Sequence, residues 1–350
     1  MAKNYKNILI IRLDKMGDVI LSTPVIKTMR EAFPNSRITF MVRPYTRQIV
    51  EGNPYLDEVL VYDKDRHANS ITANMKFILK LRRKKFDLAL ILHPTGRTHI
   101  LMFLAGIPER VGYDKKWGFL LTKRIPHNKQ FGLKHEMDYT LDLVRYIGIK
   151  PGSRSLYISK NEECEKMVDG QFARSGIKDT DIVIAINPGA SCPSRRWNTE
   201  NFARVADGLV LKYNAKVIII ASQNDKALGD DIASKMEAGC LNLSGKTTIS
   251  DIASILRRIR LFISNDSGPV HIACAVGAPV VVIFGRNDRG VSPFRWGPSG
   301  GNDIVLHKDV GCDICLAHNC KKGFECLEAI TVDEVLAAAD KILTKKVVTK

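Results

Sequence analysis

The chain has 350 residues, 45% of them hydrophobic and 26% charged, with eight cysteines and a formal net charge of +16. That length exceeds one ordinary core and suits two α/β domains of roughly 150–180 residues each. The composition excludes a disordered or fibrous protein, and no apolar run reaches the roughly 18 residues needed to span a bilayer. The charge is unevenly placed: residues 1–160 hold 29 Lys and Arg against 14 Asp and Glu, and the rest hold 24 against 23. A basic half points to a polyanionic partner such as nucleic acid, anionic lipid or a phosphorylated glycan, unless the charge serves solubility alone. The opening MAKNYKNILIIRLDKMGDV has neither a long apolar core nor a small-residue cleavage site, so the cysteines are expected to be reduced thiols in the cytoplasm.

Short β-branched runs alternate with helical patterns, which predicts βα units on a parallel sheet. The first strand is expected at Ile8–Arg12. The loop after it, Arg12-Leu13-Asp14-Lys15-Met16-Gly17-Asp18-Val19, leaves the carboxyl end of a strand, where open α/β sheets carry their sites. Asp18 is either a plain helix N-cap or, if Thr23-Pro24 starts the helix instead, a loop carboxylate available for chemistry. Further strands are expected at Ile38–Val42, Val59–Tyr62, Leu88–Leu92 and Arg110–Gly112. Helices are expected near Val25–Phe33, Ile71–Lys85 and Met137–Ile147, with Gly148 stopping the last. Residues 148–155, GIKPGSRS, read as a linker. This gives a domain over residues 1–155, a second over 156–330, and a helix with a tail over 331–350.

The pattern restarts with strands at Ile182–Ile186, Val217–Ala221, Leu261–Ser264 and Pro279–Phe284. Helices are expected at Glu200–Lys212, Lys226–Met236, Ser250–Arg257, Val270–Val276 and Thr331–Leu343. After the first of these strands come Asn187-Pro188-Gly189-Ala190 and Ser194-Arg195-Arg196-Trp197. Two arginines there can grip phosphate oxygens, or they are an exposed basic loop with Trp197 anchored in the core. After the second, Asp225 is placed to meet ribose hydroxyls. After the third, Asp266 or Ser267 caps a helix, Gly268 admits a ligand close to the backbone, and His271 lies in or near the first turn. The helix start offers partial positive charge to a diphosphate, although an ordinary capped helix explains Asp266 and Ser267 equally well.

Taken together, the set Arg12…Gly17-Asp18-Val19, Pro188-Gly189-Ala190…Arg195-Arg196-Trp197 and Asp266-Ser267-Gly268-Pro269-Val270-His271 resembles glycosyltransferase family 9, the ADP-heptose-dependent lipopolysaccharide heptosyltransferases. The resemblance spans nearly the whole chain. It implies a GT-B fold: two Rossmann-like doubly wound domains facing a central cleft, the first binding acceptor and the second binding the nucleotide-sugar donor. It also implies inverting transfer with no metal cofactor. Asp18 matches the general base and Arg195 a diphosphate-binding lysine. Asp266, Ser267, Gly268 and His271 match the donor diphosphate and sugar loop, and Asp225 an acidic ribose contact. Two departures stand out. Arginine replaces lysine at 195, and Gly285-Arg286-Asn287-Asp288 replaces the family's frequent G-P-T-D.

The implied acceptor is anionic inner-core lipopolysaccharide, with peripheral contact at the cytoplasmic face of the inner membrane and no nucleic acid. Candidate acceptor residues in the basic half are Arg43, Arg47, Lys64, Arg66, Arg97, Lys115, Lys116 and His135, most of which read as ordinary solvated charges. Cys312, Cys315, Cys320 and Cys326 form C-x2-C-x4-C-x5-C, a spacing that can hold structural zinc; free thiols or a disulfide are the alternatives. Two other functions compete with transfer: a GT-B-fold sugar-nucleotide epimerase, and a non-enzymatic polyanion- or nucleic-acid-binding protein. Against the latter, aromatics are only 7% of the chain and no stretch interleaves them with basic residues.

Overall fold

Near-continuous apolar runs form the central strands because helices cover both faces of each sheet. NILII at Asn7–Ile11, LALI at Leu88–Ile91, VIAIN at Val183–Asn187 and VVVIF at Val280–Phe284 are almost wholly buried. The computed structural model describes residues 4–65, 70–312 and 315–345. The chain divides into two compact units, one ending at Ser159 and the other beginning at Lys160.

The first unit holds β1 (Asn7–Ile11), β2 (Arg37–Val42), β3 (Glu58–Val61), β4 (Leu88–Ile91), β5 (Glu109–Asp114) and β6 (Lys123–Pro126). Their order is β3-β2-β1-β4-β5-β6, with every pair parallel. Ile8 is in register with both Ile38 and Leu88. The second unit repeats the plan with β7 (Val183–Asn187), β8 (Lys216–Ile219), β9 (Leu241–Asn242), β10 (Leu261–Asn265), β11 (Val280–Phe284) and β12 (Ile304–His307). The order there is β12-β11-β10-β7-β8-β9, again all parallel. Each sheet therefore has the Rossmann order, in which the winding direction reverses between the first and fourth strands. In the first unit that switch point lies between β1 and β4, and in the second between β7 and β10.

The expected strands and helices are present with shifted ends, and several elements were not anticipated. These include β6, β9, β12 and the helices Met16–Ile20, Gly96–Leu104 and Glu162–Arg174. The expected linker lies against the first unit, with Arg154 paired to Asp138 at 3.0 Å, and so does the chain just beyond it: the Tyr157 N–H donates to Thr23 Oγ1 at 3.0 Å, and Ser159 Oγ donates to the Glu51 carbonyl. The final helix, Val332–Leu343, opens with a reciprocal Thr331–Glu334 capping box. It packs Val335, Ala338, Ala339 and Ile342 into the second unit's core beside Trp197. No helix among the described residues is long and apolar enough to cross a membrane.

Candidate active site

In the first unit, the chain leaves β1 at Arg12, whose guanidinium is fully buried at the switch point. It meets three carboxylates: Asp14 at 2.9 Å, Asp18 at 2.5 Å and Glu136 at 3.1 Å. It also donates to the Leu92 carbonyl just past β4, at 3.3 Å. Glu136 opens the Glu136–Tyr146 helix and takes a second cation, Lys129, at 2.8 Å. The Lys129 ammonium lies over the rings of Tyr113 and Tyr139. His93 Nδ1 reaches Asp14 at 3.0 Å.

Burial opposes the charge on Arg12, but its three carboxylate neighbours more than reverse that, so it stays protonated. Asp14 is also opposed by burial, yet Arg12 and His93 hold it below the ordinary carboxylate range. Asp18 goes the other way. Burial raises its pKa, Arg12 opposes the rise, and the Asp14 and Glu136 charges reinforce it. Among these three acids Asp18 is the one whose pKa is raised. Asp18 keeps 18% of its side chain exposed, which makes it reachable from solvent.

Neither expectation for the local backbone holds at Asp18. It sits third in the short Met16–Ile20 helix, whose N-cap is Lys15 with no side-chain capping bond, so it is neither an N-cap nor a loop residue. The next helix is preceded by Ser22 as N-cap, with Thr23 and Pro24 as its first two residues. Its carboxylate bonds to Arg12 instead of backbone amides.

In the second unit, β7 and β10 both end in asparagine at the switch point, and both side chains tie loops together. Asn187 Nδ2 donates to Ser264 Oγ at 3.0 Å and Ser267 Oγ at 2.9 Å. Asn265 Nδ2 donates to the Pro188 carbonyl at 2.7 Å, and its Oδ1 accepts from the Trp197 N–H at 3.1 Å. Arg195 and Asp266, widely separated in sequence, form an ion pair at 3.1 Å. Arg196 pairs with Asp225 at 2.7 Å. The other Asp225 oxygen accepts from Ser222 Oγ, and a Cβ on Gly189 would come within 2.9 Å of it. Glycine at 189 is what lets the carboxylate lie against the loop.

Ser267 occupies the N-cap of the Gly268–Val276 helix, but its hydroxyl makes no capping bond. It turns back to Asn187, so it caps by position and not by side chain. His271 is buried in that helix's second turn. Arg286, noted in sequence only as a departure, is a buried member of the site. It donates to Ser194 Oγ at 2.9 Å and to Cys192 Sγ at 2.8 Å, from a left-handed backbone with φ of 64°. Burial pushes Asp266 up to about 6, against the pull of Arg195 and Arg286.

That shift has a sign that can be checked. The folded pKa lies above the unfolded carboxylate value, so Asp266 adds stability at low pH and that stability is lost as pH rises through about 6. Replacing it by asparagine removes the dependence. The stability difference between Asp266→Asn and wild type should change by about 1–2 kcal/mol between pH 7 and pH 5, in favour of wild type at pH 5. Urea unfolding at both values measures it; a pH-independent difference would refute the burial account.

The acceptor candidates are only partly brought together. Lys64, Arg97, Lys115 and Lys116 follow the carboxyl ends of β3, β4 and β5, and Arg97 Nη1 donates to the Lys64 carbonyl at 3.0 Å. His135 caps the Glu136–Tyr146 helix through Nδ1. Arg43 and Arg47 pair with Asp65 and Glu51. Arg66 lies outside the described residues. The four late cysteines are free thiols. Cys312, Cys315 and Cys320 add to the burial that raises the Cys326 pKa, and Cys326 also receives the Arg286 backbone N–H. Among the described residues, no three His, Cys, Asp or Glu side chains are grouped to hold a metal.

Both clusters thus sit where doubly wound sheets bind ligands. The family model for glycosyltransferase family 9 (heptosyltransferase) matches residues 74–324. The chain belongs to glycosyltransferase family 9. It is similar to the lipopolysaccharide heptosyltransferase 3 of Escherichia coli K12, 26% identical over 335 residues that cover 93% of this chain and 95% of the relative. A family 9 crystal structure from Veillonella parvula DSM 2008 is 30% identical, covers 99% of each chain and superposes with a TM-score of 0.90. The E. coli ADP-heptose lps heptosyltransferase II, at 22% identity, covers 96% of this chain and 98% of its own, with a TM-score of 0.80. The fold is GT-B, and the protein is a glycosyltransferase, which sets aside the epimerase and nucleic-acid-module readings.

Proposed function

We propose that this glycosyltransferase moves a heptose from ADP-heptose to an anionic inner-core sugar of lipopolysaccharide, with inversion and without a metal ion. The observation that carries the reading is Asp18. It is solvent-accessible at the carboxyl end of β1 and fixed by a buried arginine, and burial raises its pKa towards the range useful in a general base. The names of the E. coli relatives support the donor and acceptor classes.

Asp18 takes the proton of an acceptor hydroxyl as that oxygen bonds to the anomeric carbon. The bond from that carbon to the diphosphate breaks on the opposite face, through an oxocarbenium-like transition state. Charge developing on the departing ADP is met by Arg195 and by the start of the Gly268–Val276 helix. Asp266, Ser267, Gly268 and His271 line that start, and Asp225 meets the ribose. Arg195→Ala should weaken ADP binding by about 1.5–3 kcal/mol, the range of charged hydrogen bonds; unchanged affinity by calorimetry would remove Arg195 from the donor site.

The net +15 of residues 1–160 supports a basic acceptor surface. It also supports peripheral attraction to the anionic cytoplasmic leaflet, at about 1 kcal/mol per well-placed Lys or Arg. The deciding experiment follows ADP release from ADP-heptose with and without a lipid-free inner-core oligosaccharide. Release should await the acceptor, and raising salt several-fold should increase the acceptor KM much more than the donor KM. Turnover of ADP-heptose alone would overturn the transfer reading; equal salt dependence would reduce the basic half to a solubility feature.

A further inference from the structure

The Ile71–Arg83 helix is apolar on two sides. Phe77, Ile78 and Leu81 face inward and pack with Tyr62, Leu101 and Met102 in the first unit's core. That is the face a surface helix normally buries. Ile71, Met75 and Leu79 recur every four residues and so form a second stripe along the helix. They point outward: Ile71 is 83% exposed, and Met75 and Leu79 are each nearly half exposed.

The stripe continues beyond the helix. Arg82 Nε donates to the Leu104 carbonyl at 2.8 Å, which ties this helix to the end of Gly96–Leu104. There Phe103 and Leu104 are also exposed while Leu101 and Met102 are buried. The surrounding charge has one sign. From residue 71 to 85 the sequence ITANMKFILKLRRKK contains six Lys and Arg and no Asp or Glu, and Lys76, Lys80 and Arg83 are exposed.

We propose that this face, the outer stripe of Ile71, Met75 and Leu79 with Phe103 and Leu104, is where the protein docks on an anionic lipid surface. Apolar side chains flanked by lysine and arginine are the composition that lies in a headgroup layer, the chains inserting shallowly and the cations meeting phosphates. A second copy of this chain fits poorly, because pairing the same faces would oppose two all-basic segments. Nucleic acid would use the cations but leave the apolar stripe in water. The inference rests on the peripheral-membrane part of the function proposed above and locates it.

The test is co-sedimentation of the full-length protein with vesicles of phosphatidylethanolamine and phosphatidylglycerol, and with phosphatidylcholine vesicles. Turnover of the lipid-free acceptor is read in parallel. Wild type should bind the anionic vesicles and largely ignore the neutral ones. The triple variant Ile71→Gln/Met75→Gln/Leu79→Gln replaces only exposed side chains with a good helix former. It should lose at least about tenfold in vesicle partitioning while its melting temperature and turnover stay at wild-type levels. Lys76→Gln/Lys80→Gln/Arg83→Gln should weaken binding and flatten its salt dependence.

Triple-variant binding equal to wild type would overturn the location. A wild type that turns over acceptor but ignores anionic vesicles would overturn the docking surface and leave the transfer reading standing. Vesicle binding without turnover would do the reverse. A change of oligomeric state in the triple variant by sedimentation velocity would assign the stripe to a second copy and overturn the lipid assignment. An RNA or DNA mobility shift abolished by the apolar variant would do so in favour of nucleic acid.

Discussion

Asp18→Asn should lower turnover by about 10²–10⁴, the usual cost of losing a general base, and leave ADP affinity unchanged. Asparagine has nearly the same shape and can still accept from Arg12, which reaches Asp18 at 2.5 Å, so the Met16–Ile20 helix keeps its packing. It cannot take a proton from the acceptor hydroxyl. The wild-type pH profile carries a second signature. Burial raises the Asp18 pKa, so kcat/KM should climb with pH as that carboxyl ionises, with its acid limb above the ordinary carboxylate range. In the variant that limb should vanish with the activity. Initial rates across pH, alongside ADP calorimetry, measure both effects. Near-wild-type turnover would return Asp18 to a purely structural role.

Arg12→Met should destabilise the first unit by about 3–5 kcal/mol, the cost of removing one partner from a buried ion pair. The loss is large because Asp14, Asp18 and Glu136 all converge on that guanidinium, while Lys129 pairs with Glu136. Adding Glu136→Gln to Arg12→Met should recover part of the loss, because one of the stranded charges is then gone. Urea unfolding of the single and double variants, with hydrogen exchange at the β1 amides, reads the coupling. A loss below about 1 kcal/mol would show the network to be held by other contacts.

The sheets were legible because most of their central strands are near-continuous apolar runs, a signal that survives without any tertiary information. The edges were not. Lys123–Pro126, Leu241–Asn242 and Ile304–His307 are short and only partly buried, and each has a strand on one side only, so composition under-marks them. The Glu162–Arg174 helix buries only Glu165, Val168 and Phe172, and its apolar period is diluted by charge and an internal glycine. Its N-cap, Asn161, accepts from the Glu163 and Cys164 amides and was the available clue.

The site was half legible. Asp18, Arg195 and Asp266 stand in motifs, and their positions after strands can be read from sequence. Their partners are set by the fold. Glu136 lies 124 residues from Arg12 and Ser194 lies 92 from Arg286. An acid in a helix's first turn looks like dipole compensation until the fold brings it to a buried arginine. Arg286 stands out in the sequence only as a mismatch, although an arginine next to glycine just past a buried strand lies where ligands are held.

The way the second unit closes its core bears on the order in which the protein is made. The first unit ends at Ser159. The second unit's core draws on Leu327, Ile330, Val335 and Ile342, and the Trp197 indole N–H donates to the Ile330 carbonyl at 3.0 Å. At a synthesis rate of roughly 5–20 residues per second, the ribosome takes on the order of 10–40 s to travel from the first boundary to those residues. For that interval the emerging second unit's central tryptophan lacks its partner. The second unit is the last to complete its core, so a chain truncated or stalled before Leu327 lacks part of that core.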